Sequence, residues 1–349
     1  MFYGVGIVGA GPGVTALHLP TTGRLGEQFA VVHISDAGSG RAAAQAARIG
    51  ARHSSGLDDL LADPRVDVVA ICSPPEQHSE QILSAVRAGV RGILCEKPLA
   101  MTAADAEDAI DACRRAGVAL VVGTNHLFDD AWGRTKHHLV AVGGPVQTVS
   151  VSMSLAPNGR YHADVTDDPP AVAQRGGAPD LQNPVVAAQI VRRLMLGLAI
   201  HDLPLLRDLA PEFPVGGQVV YARAVAPIGL CVGYRAGGVL IHLAAVMHQD
   251  GADTLWRLGI STSEDRIEID FPPPFVHAGS AAVRVRAANG RWTTYARTEE
   301  DGYLQEWRAL ADLLDSGEAV EYEEILDDAR YAIALADAAS ELVREGGAR

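Results

Sequence analysis

A chain of 349 residues is longer than an average domain and predicts two, each long enough to bury its own core. Hydrophobic residues make up 48% and charged residues 21%, with no run of like charge and no apolar stretch of bilayer-spanning length, the composition of a soluble globular protein. The formal net charge of -14 argues against a nucleic-acid or anionic-membrane partner, since both are polyanions. The first predicted strand begins within three residues of Met1, which leaves no room for a signal peptide. Cys72, Cys95, Cys113 and Cys231 are scattered without ligand spacing, so reduced thiols in a cytoplasmic protein are expected and no metal site is.

The apolar run Val5 to Val8 reads as a buried strand ending in Gly9-Ala10-Gly11-Pro12-Gly13, after which the chain turns helical at Val14. That is a recipe for holding a pyrophosphate: Gly9 permits a tight turn, Gly11 lets backbone amides approach, and the helix points its positive end at the phosphates. The third small residue of this dinucleotide fingerprint falls at Val14, and Gly13 next to it offers compensation. A second strand, Ala30 to Ile34, runs into Ser35-Asp36, where an acidic residue would meet the ribose hydroxyls. A carboxylate there repels a 2′-phosphate and favours NAD over NADP, although Arg41 is near enough to contact a phosphate. A solvated turn aspartate is the competing reading of Asp36.

Helices over Arg41 to Ile49, Leu57 to Ala62, Glu76 to Ala88 and Thr102 to Ala116 alternate with strands over Val66 to Cys72, Gly92 to Cys95 and Ala119 to Gly123. Strands apolar on both phases and separated by helices predict a doubly wound parallel sheet of Rossmann type over residues 1-125. Ligands of such sheets bind beyond the carboxyl ends of the strands. The candidates there are Gly9 to Gly13, Asp36, Ser73-Pro74-Pro75 with His78 on the first turn of the next helix, Glu96-Lys97-Pro98, and Thr124-Asn125-His126.

Residues 126-349 change pattern. A helix near Trp132 to Val142 and a strand Val146 to Ser154 precede residues 156-184, rich in Pro, Gly, Asp and Asn, which read as a wall of a substrate pocket or as a surface excursion. Tyr161, His162 and Asp164 are unranked substrate candidates there. An apolar helix from Pro184 to about Leu203 follows, then strands Gln218 to Ala224, Gly229 to Tyr234, Val239 to Met247, Leu255 to Ser261, Arg266 to Phe271, Ala282 to Ala287 and Arg291 to Ala296. Short turns such as Asn289-Gly290 predict one large, mainly antiparallel sheet in an α+β domain. Helices Gly302 to Leu314 and Asp327 to Arg344 close the chain. Both phases of Val239 to Met247 are largely apolar, which predicts a homodimer or homotetramer formed through this sheet.

The order of glycine-rich turn, Asp36, Ser73-Pro74 with His78, Glu96-Lys97-Pro98 and an antiparallel domain resembles the Gfo/Idh/MocA family of NAD(P)-dependent oxidoreductases. The Glu-Lys-Pro triplet is the most specific piece, and His18 falls where members often have a histidine. The resemblance implies oxidation or reduction of a secondary alcohol on a sugar, inositol or related polyol, with Lys97 as the catalytic lysine. It further implies an Asp and a His four residues apart on a helix of the second domain. His201 matches the histidine, but the aspartate position is Gly197. Asp202 does not replace it, because adjacent helical residues point about 100° apart. Pro204, where another Asp is frequent, predicts a kink or stop. His201 reads either as a general base or as a core histidine on an apolar stripe. Two other functions stay open: a redox-neutral, NAD-dependent sugar elimination or glycoside cleavage, and a non-catalytic NAD-binding sensor.

Overall fold

The computed structural model describes residues 2–156, 179–248, 253–273 and 276–346. These described residues fall into two compact units, the first holding residues 2–123 and Tyr303–Arg330, the second the described residues of 124–156, 179–302 and 331–346.

The first unit contains β1 (Tyr3–Val8), a π-helical turn Val14–His18 leading into α1 (Leu19–Arg24), β2 (Phe29–Asp36), α2 (Arg41–Ile49), β3 (Arg52–Ser55), α3 (Asp58–Leu61), β4 (Val68–Ile71), α4 (His78–Ala88), β5 (Gly92–Cys95), α5 (Ala103–Ala116) and β6 (Ala119–Val122). The strands form one parallel sheet in the order β3-β2-β1-β4-β5-β6, so the direction of strand addition reverses between β1 and β4. Strands β1, β4 and β5 are buried at every residue, as a sheet covered on both faces requires. Helix α5 starts where the sequence predicts: the Thr102 hydroxyl accepts the Asp105 amide, and Gly117 closes the far end in the left-handed region.

Strand β3 escapes sequence reading because Arg-His-Ser-Ser is polar and lies on the sheet edge. Side chains anchor it. His33 on β2 meets Ser54 Oγ through Nε2 at 3.0 Å and Asp63 Oδ2 through Nδ1 at 3.1 Å, while Arg65 donates to both oxygens of Asp63.

The segment Tyr303–Arg330, which a boundary near residue 125 assigns to the second domain, packs in the first unit. Trp307 lies edge-on to Phe29 with ring centroids 5.1 Å apart, Leu326 joins the apolar cluster beneath β4 and β5, and the Tyr322 hydroxyl donates to the Val118 carbonyl at 2.7 Å. These contacts span more than two hundred positions of chain, which is why local pattern does not announce them.

The second unit contains α6 (Asn125–Phe128), α7 (Asp130–His138), β7 (Val146–Leu155), α8 (Pro184–Gly197), α9 (Leu203–Leu209) and β8 (Gly217–Val225). There follow β9 (Gly229–Ala236), β10 (Val239–Met247), β11 (Leu255–Thr262), β12 (Asp265–Asp270), β13 (Ala282–Ala287) and β14 (Trp292–Tyr295). Helix α10 (Gly302–Ser316) lies almost wholly in the first unit, and α11 (Tyr322–Arg344) starts in the first and continues in the second. The eight strands run in the order β14-β13-β12-β11-β7-β10-β9-β8, antiparallel except for the parallel pair β7 and β10.

Helix α8 opens on the Asn183 side chain, which accepts the amides of Val185 and Val186, and on Pro184 in the first turn. It stops at Gly197, not near Leu203. A 3-10 turn, Ala199–His201, intervenes, and Pro204 sits in the first turn of α9, where a missing N–H costs nothing. Against expectation, Pro184–His201 does have the length and mean hydropathy (1.3) of a bilayer crossing. It contains Arg192 and Arg193, half of it is buried in the protein, and it packs on β8 and β9 as a core helix does. On β10, Val239, Ile241, Leu243 and Ala245 are buried, whereas Leu240, on the other phase, is 48% exposed.

Asp63 gives the first unit a pH-dependent tie. The Arg65 guanidinium, together with the Arg65 amide and His33, holds its carboxyl far below the usual carboxylate range, against the opposing effect of burial. A depressed folded-state pKa stabilises the fold above the unfolded value and loses that contribution as pH falls through the folded one. Asp63→Asn is expected to lower the unfolding free energy by about 1–3 kcal/mol at pH 7 in urea titrations. The gap from wild type narrows below about pH 4.

Candidate functional site

The carboxyl ends of β1, β2 and β4 open on a cleft of ≈ 480 Å³ whose lining includes Gly9, Gly11, Asp36, Ser73, Pro74 and Gln77. It lies at the reversal of strand order, where doubly wound sheets bind their ligands. Gly9 has φ +106, and a Cβ on it would stand 2.4 Å from the Cys72 carbonyl oxygen, so only glycine makes this turn. A Cβ on Gly11 or Gly13 would meet nothing within 4 Å, which leaves the backbone amides open to an approaching anion. Pro12 is half-buried between them, and Val14 is 1% exposed, so its bulk turns into the core instead of filling the cleft.

Asp36 caps the turn into α2. Its oxygens accept the amides of Gly38 at 2.8 Å, Ser39 at 3.2 Å and Ala42 at 3.1 Å, and the Ser39 hydroxyl as well. Burial works to raise its pKa, but these bonds outweigh it and hold the carboxyl below its ordinary value. Beneath it Ser35 Oγ, buried and lining the same cleft, has no hydrogen-bond partner among the described residues. An open glycine turn, an ionised acid and an unused hydroxyl together fit a pyrophosphate and a ribose.

The far wall contains a chain the sequence does not single out: Ser73 Oγ donates to Gln81 Oε1 at 2.6 Å, and Gln81 Nε2 donates to Gln77 Oε1 at 3.1 Å. Its one sequence signal is two glutamines four apart at the start of α4. His78 differs from its expected exposure. It is 1% exposed, with Nδ1 2.8 Å from the Pro98 carbonyl and Nε2 3.0 Å from the Ser73 carbonyl, so it ties the loops after β4 and β5 together.

Lys97 lies two residues past the end of β5 and is half-buried beside Glu96. Glu96 Oε2 accepts the Lys97 amide at 3.2 Å, and Glu96 Oε1 lies 2.9 Å from His18 Nε2. Behind His18, Trp307 donates its indole N–H to Nδ1 at 3.2 Å. Burial opposes a charge on His18, and the indole points the same way. Being a donor only, it requires a lone pair on Nδ1, which keeps the ring neutral with its hydrogen on Nε2, donated to Glu96. Burial raises and His18 and Lys97 lower the Glu96 pKa, with a net fall. Burial lowers the Lys97 pKa below its ordinary value despite the opposing Glu96 charge.

In the second unit, the 3-10 turn delivers His201 and Asp202 into an aromatic cluster. Asp202 is fully buried: Oδ2 accepts the Trp256 indole N–H at 2.7 Å and Oδ1 lies 3.1 Å from His126 Nδ1. The His126 ring stacks on Phe271 at 3.6 Å and meets His201 at 5.4 Å between centroids. His201 is edge-on to Trp256 at 5.5 Å. The adjacent Asn125 is buried, and its Oδ1 has no hydrogen-bond partner among the described residues.

Residues 3–124 match the family model described as an oxidoreductase family with an NAD-binding Rossmann fold, GFO_IDH_MocA. Residues 3–124 thus resemble the NAD-binding domain of the Gfo/Idh/MocA oxidoreductases. It is 45% identical over 102 residues to a 1,5-anhydro-D-fructose reductase of Ensifer adhaerens, covering 29% of this chain and 30% of that one. It is 33% identical over 230 residues to an inositol 2-dehydrogenase of Saccharopolyspora erythraea, covering 65% and 58%. Both matches thus span less than two thirds of the relative. A myo-inositol 2-dehydrogenase of Thermotoga maritima is 26% identical, with 82% and 80% covered. In fold, the chain is similar to a 3-ketoreductase of Actinomadura kijaniata solved with NADP, at a TM-score of 0.72 and 19% identity, covering 97% of this chain and 96% of that one.

At Gly197 the chain departs from the pattern that the resemblance implies, and an added Cβ there would meet nothing within 4 Å. The carboxylate that is present, Asp202, serves His126. The candidates Tyr161, His162 and Asp164 lie outside the described residues. Because the space above Gly11 is open, Gly11→Val is expected to leave the melting temperature unchanged while weakening NAD(H) binding at least tenfold in calorimetric titration. A loss of stability with binding intact would mean that the space serves the fold alone.

Proposed function

We propose that this protein is an NAD-dependent dehydrogenase of the Gfo/Idh/MocA type that moves a hydride between nicotinamide and a ring carbon bearing a secondary hydroxyl, on a sugar, inositol or glycoside. The observation that carries the reading is Lys97: a half-buried lysine at the mouth of the sheet, its backbone amide donated to Glu96 and its amine carrying a lowered pKa. When bound, the nicotinamide accepts or returns the hydride. The Lys97 ammonium donates to the substrate oxygen and stabilises the negative charge that grows there as its proton leaves. His201 takes that proton as general base and returns it in the reverse direction. Gly9, Gly11, Pro12, Gly13 and Val14 hold the pyrophosphate, Asp36 the ribose, and Ser73, Pro74, Glu96 and Asn125 the nicotinamide side, with His126 facing substrate.

The ionised Asp36 supports NAD over NADP, because it repels a second phosphate on the ribose. Asp36→Ser is expected to raise the NADP-to-NAD ratio of kcat/KM at least tenfold. A screen of sugars, polyols and glycosides for NADH formation tests the whole reading. Lys97→Ala should then cut kcat by about 10²–10⁴. Because reduction needs Lys97 protonated, turnover in that direction should fall as pH rises through a value below the ordinary 10.5 of lysine. Full turnover in Lys97→Ala would remove the assignment.

The phase of β10 carrying Leu240, Ala244 and Val246 supports a homodimer or homotetramer through the sheet. Sedimentation of the intact protein at micromolar concentration is expected to give a dimer or tetramer, and a monomer would contradict it.

A further inference from the structure

Helix α2 carries a buried glutamine whose hydrogen bonds run to the glycine turn and the helix after it. Gln45 is 7% exposed, and its side-chain amide donates to the Ala10 carbonyl at 3.2 Å and to the Thr15 hydroxyl at 2.7 Å. A carbonyl only accepts, so the NH2 end must face Ala10, and both of its hydrogens are then committed. Gln45 Oε1, buried with it, has no hydrogen-bond partner among the described residues. A side chain that only filled space would not carry that orphaned acceptor, since leucine packs a similar volume without one.

What Gln45 holds is the direction of a peptide plane. In a trans peptide the C=O and the following N–H point opposite ways. Ala10 and Gly11 line the cleft and Gln45 does not, so the carbonyl turned onto Gln45 sends the Gly11 amide the other way, toward the cleft. That amide carries extra weight because the turn has few donors to spare. Pro12 has no N–H, the Gly9 amide goes to the Ser35 carbonyl at 2.8 Å, and the Val14 amide goes to the Gly11 carbonyl at 3.1 Å. Gly11 itself does not resist rotation: a Cβ there would meet nothing within 4 Å, and glycine changes φ at little cost. Unheld, the plane is free to turn over and set a carbonyl oxygen against the phosphates. The same helix is capped by Asp36, whose Oδ2 accepts the Ala42 amide at 3.1 Å, a turn before Gln45.

We propose that Gln45 is a positioning residue for the dinucleotide. It sets the Ala10–Gly11 peptide so that the Gly11 amide donates to the pyrophosphate, and it makes α2 a single strut between that contact and the ribose contact at Asp36. This rests on the cofactor reading above. Gln45 acts through Ala10 and touches no ligand atom itself.

Titrations with ADP and with adenosine separate this role from packing, because the two ligands differ only by the diphosphate. Gln45→Leu is expected to weaken ADP binding by about tenfold or more, the worth of a hydrogen bond to a charged group, and to leave adenosine within about twofold of wild type. A looser fold would weaken both by the same factor. That result, or an ADP affinity unchanged in Gln45→Leu, overturns the proposal. Should Gln45→Leu fail to fold, 15N-labelled wild type decides: the Gly11 amide proton is expected to shift downfield as ADP binds and to stay in place with adenosine. A Gly11 resonance that ignores ADP overturns the proposal. Wild-type protein that binds neither NADH nor ADP overturns the cofactor reading and this proposal together, whereas wild-type binding with an indifferent Gln45→Leu removes this proposal alone.

Discussion

The first unit depends on how one half-buried carboxylate is held. Glu96 stands immediately after β5 with one oxygen on His18 and the other on the Lys97 amide, and the Trp307 indole fixes the His18 ring from behind. A carboxylate partly removed from water is tolerated only where donors meet it, and here each donor comes from a different part of the chain. The π-helical turn after the glycine loop brings His18, the strand exit brings Lys97, and α10 brings Trp307. The glycine turn, the lysine and a helix nearly three hundred residues downstream are thereby locked to one geometry. This gives a physical reason for Tyr303–Arg330 to return to the first unit.

The second unit repeats the logic with different parts. Asp202 is buried more completely than Glu96, and it too is served by an indole and an imidazole. In both knots the tryptophan is the element with no choice, because an indole N–H can only donate, and its direction fixes the hydrogen on a histidine. Removing either indole N–H would leave a buried acceptor unmet, at a cost of about 1–3 kcal/mol. Tautomers set this way are properties of the fold, in place before any ligand arrives.

Much of the first unit is legible in the sequence because its information is local. A strand apolar on both phases, a glycine turn and an acid at the next strand end each carry their own signature, and the cleft at β1, β2 and β4 assembles them as expected. The failures share a cause in contacts that are distant or polar. Strand β3 is held by His33 and Asp63, not by an apolar pattern, and exposed Arg-His-Ser-Ser gives no signal. His78 looks like a surface residue in the first turn of α4 until the two carbonyls it ties are known. Sequence reading excludes Asp202 because neighbours on a helix diverge. The helix ends at Gly197, so the premise fails, and the 3-10 turn gives Asp202 its own direction. Proline at 204 signals a break, but the break falls before it because proline is favoured in the first turn of the helix that follows.

The central claim is that the amine after β5 acts at the nicotinamide end of a dinucleotide seated on the glycine turn. The most direct measurement is a crystal structure with NADH bound. The account predicts the pyrophosphate against the backbone amides that follow Gly9, the adenosine ribose at Asp36, and the C4 edge of the nicotinamide alongside the Lys97 amine. A dinucleotide seated elsewhere, or a nicotinamide whose C4 edge faces away from Lys97, would contradict it.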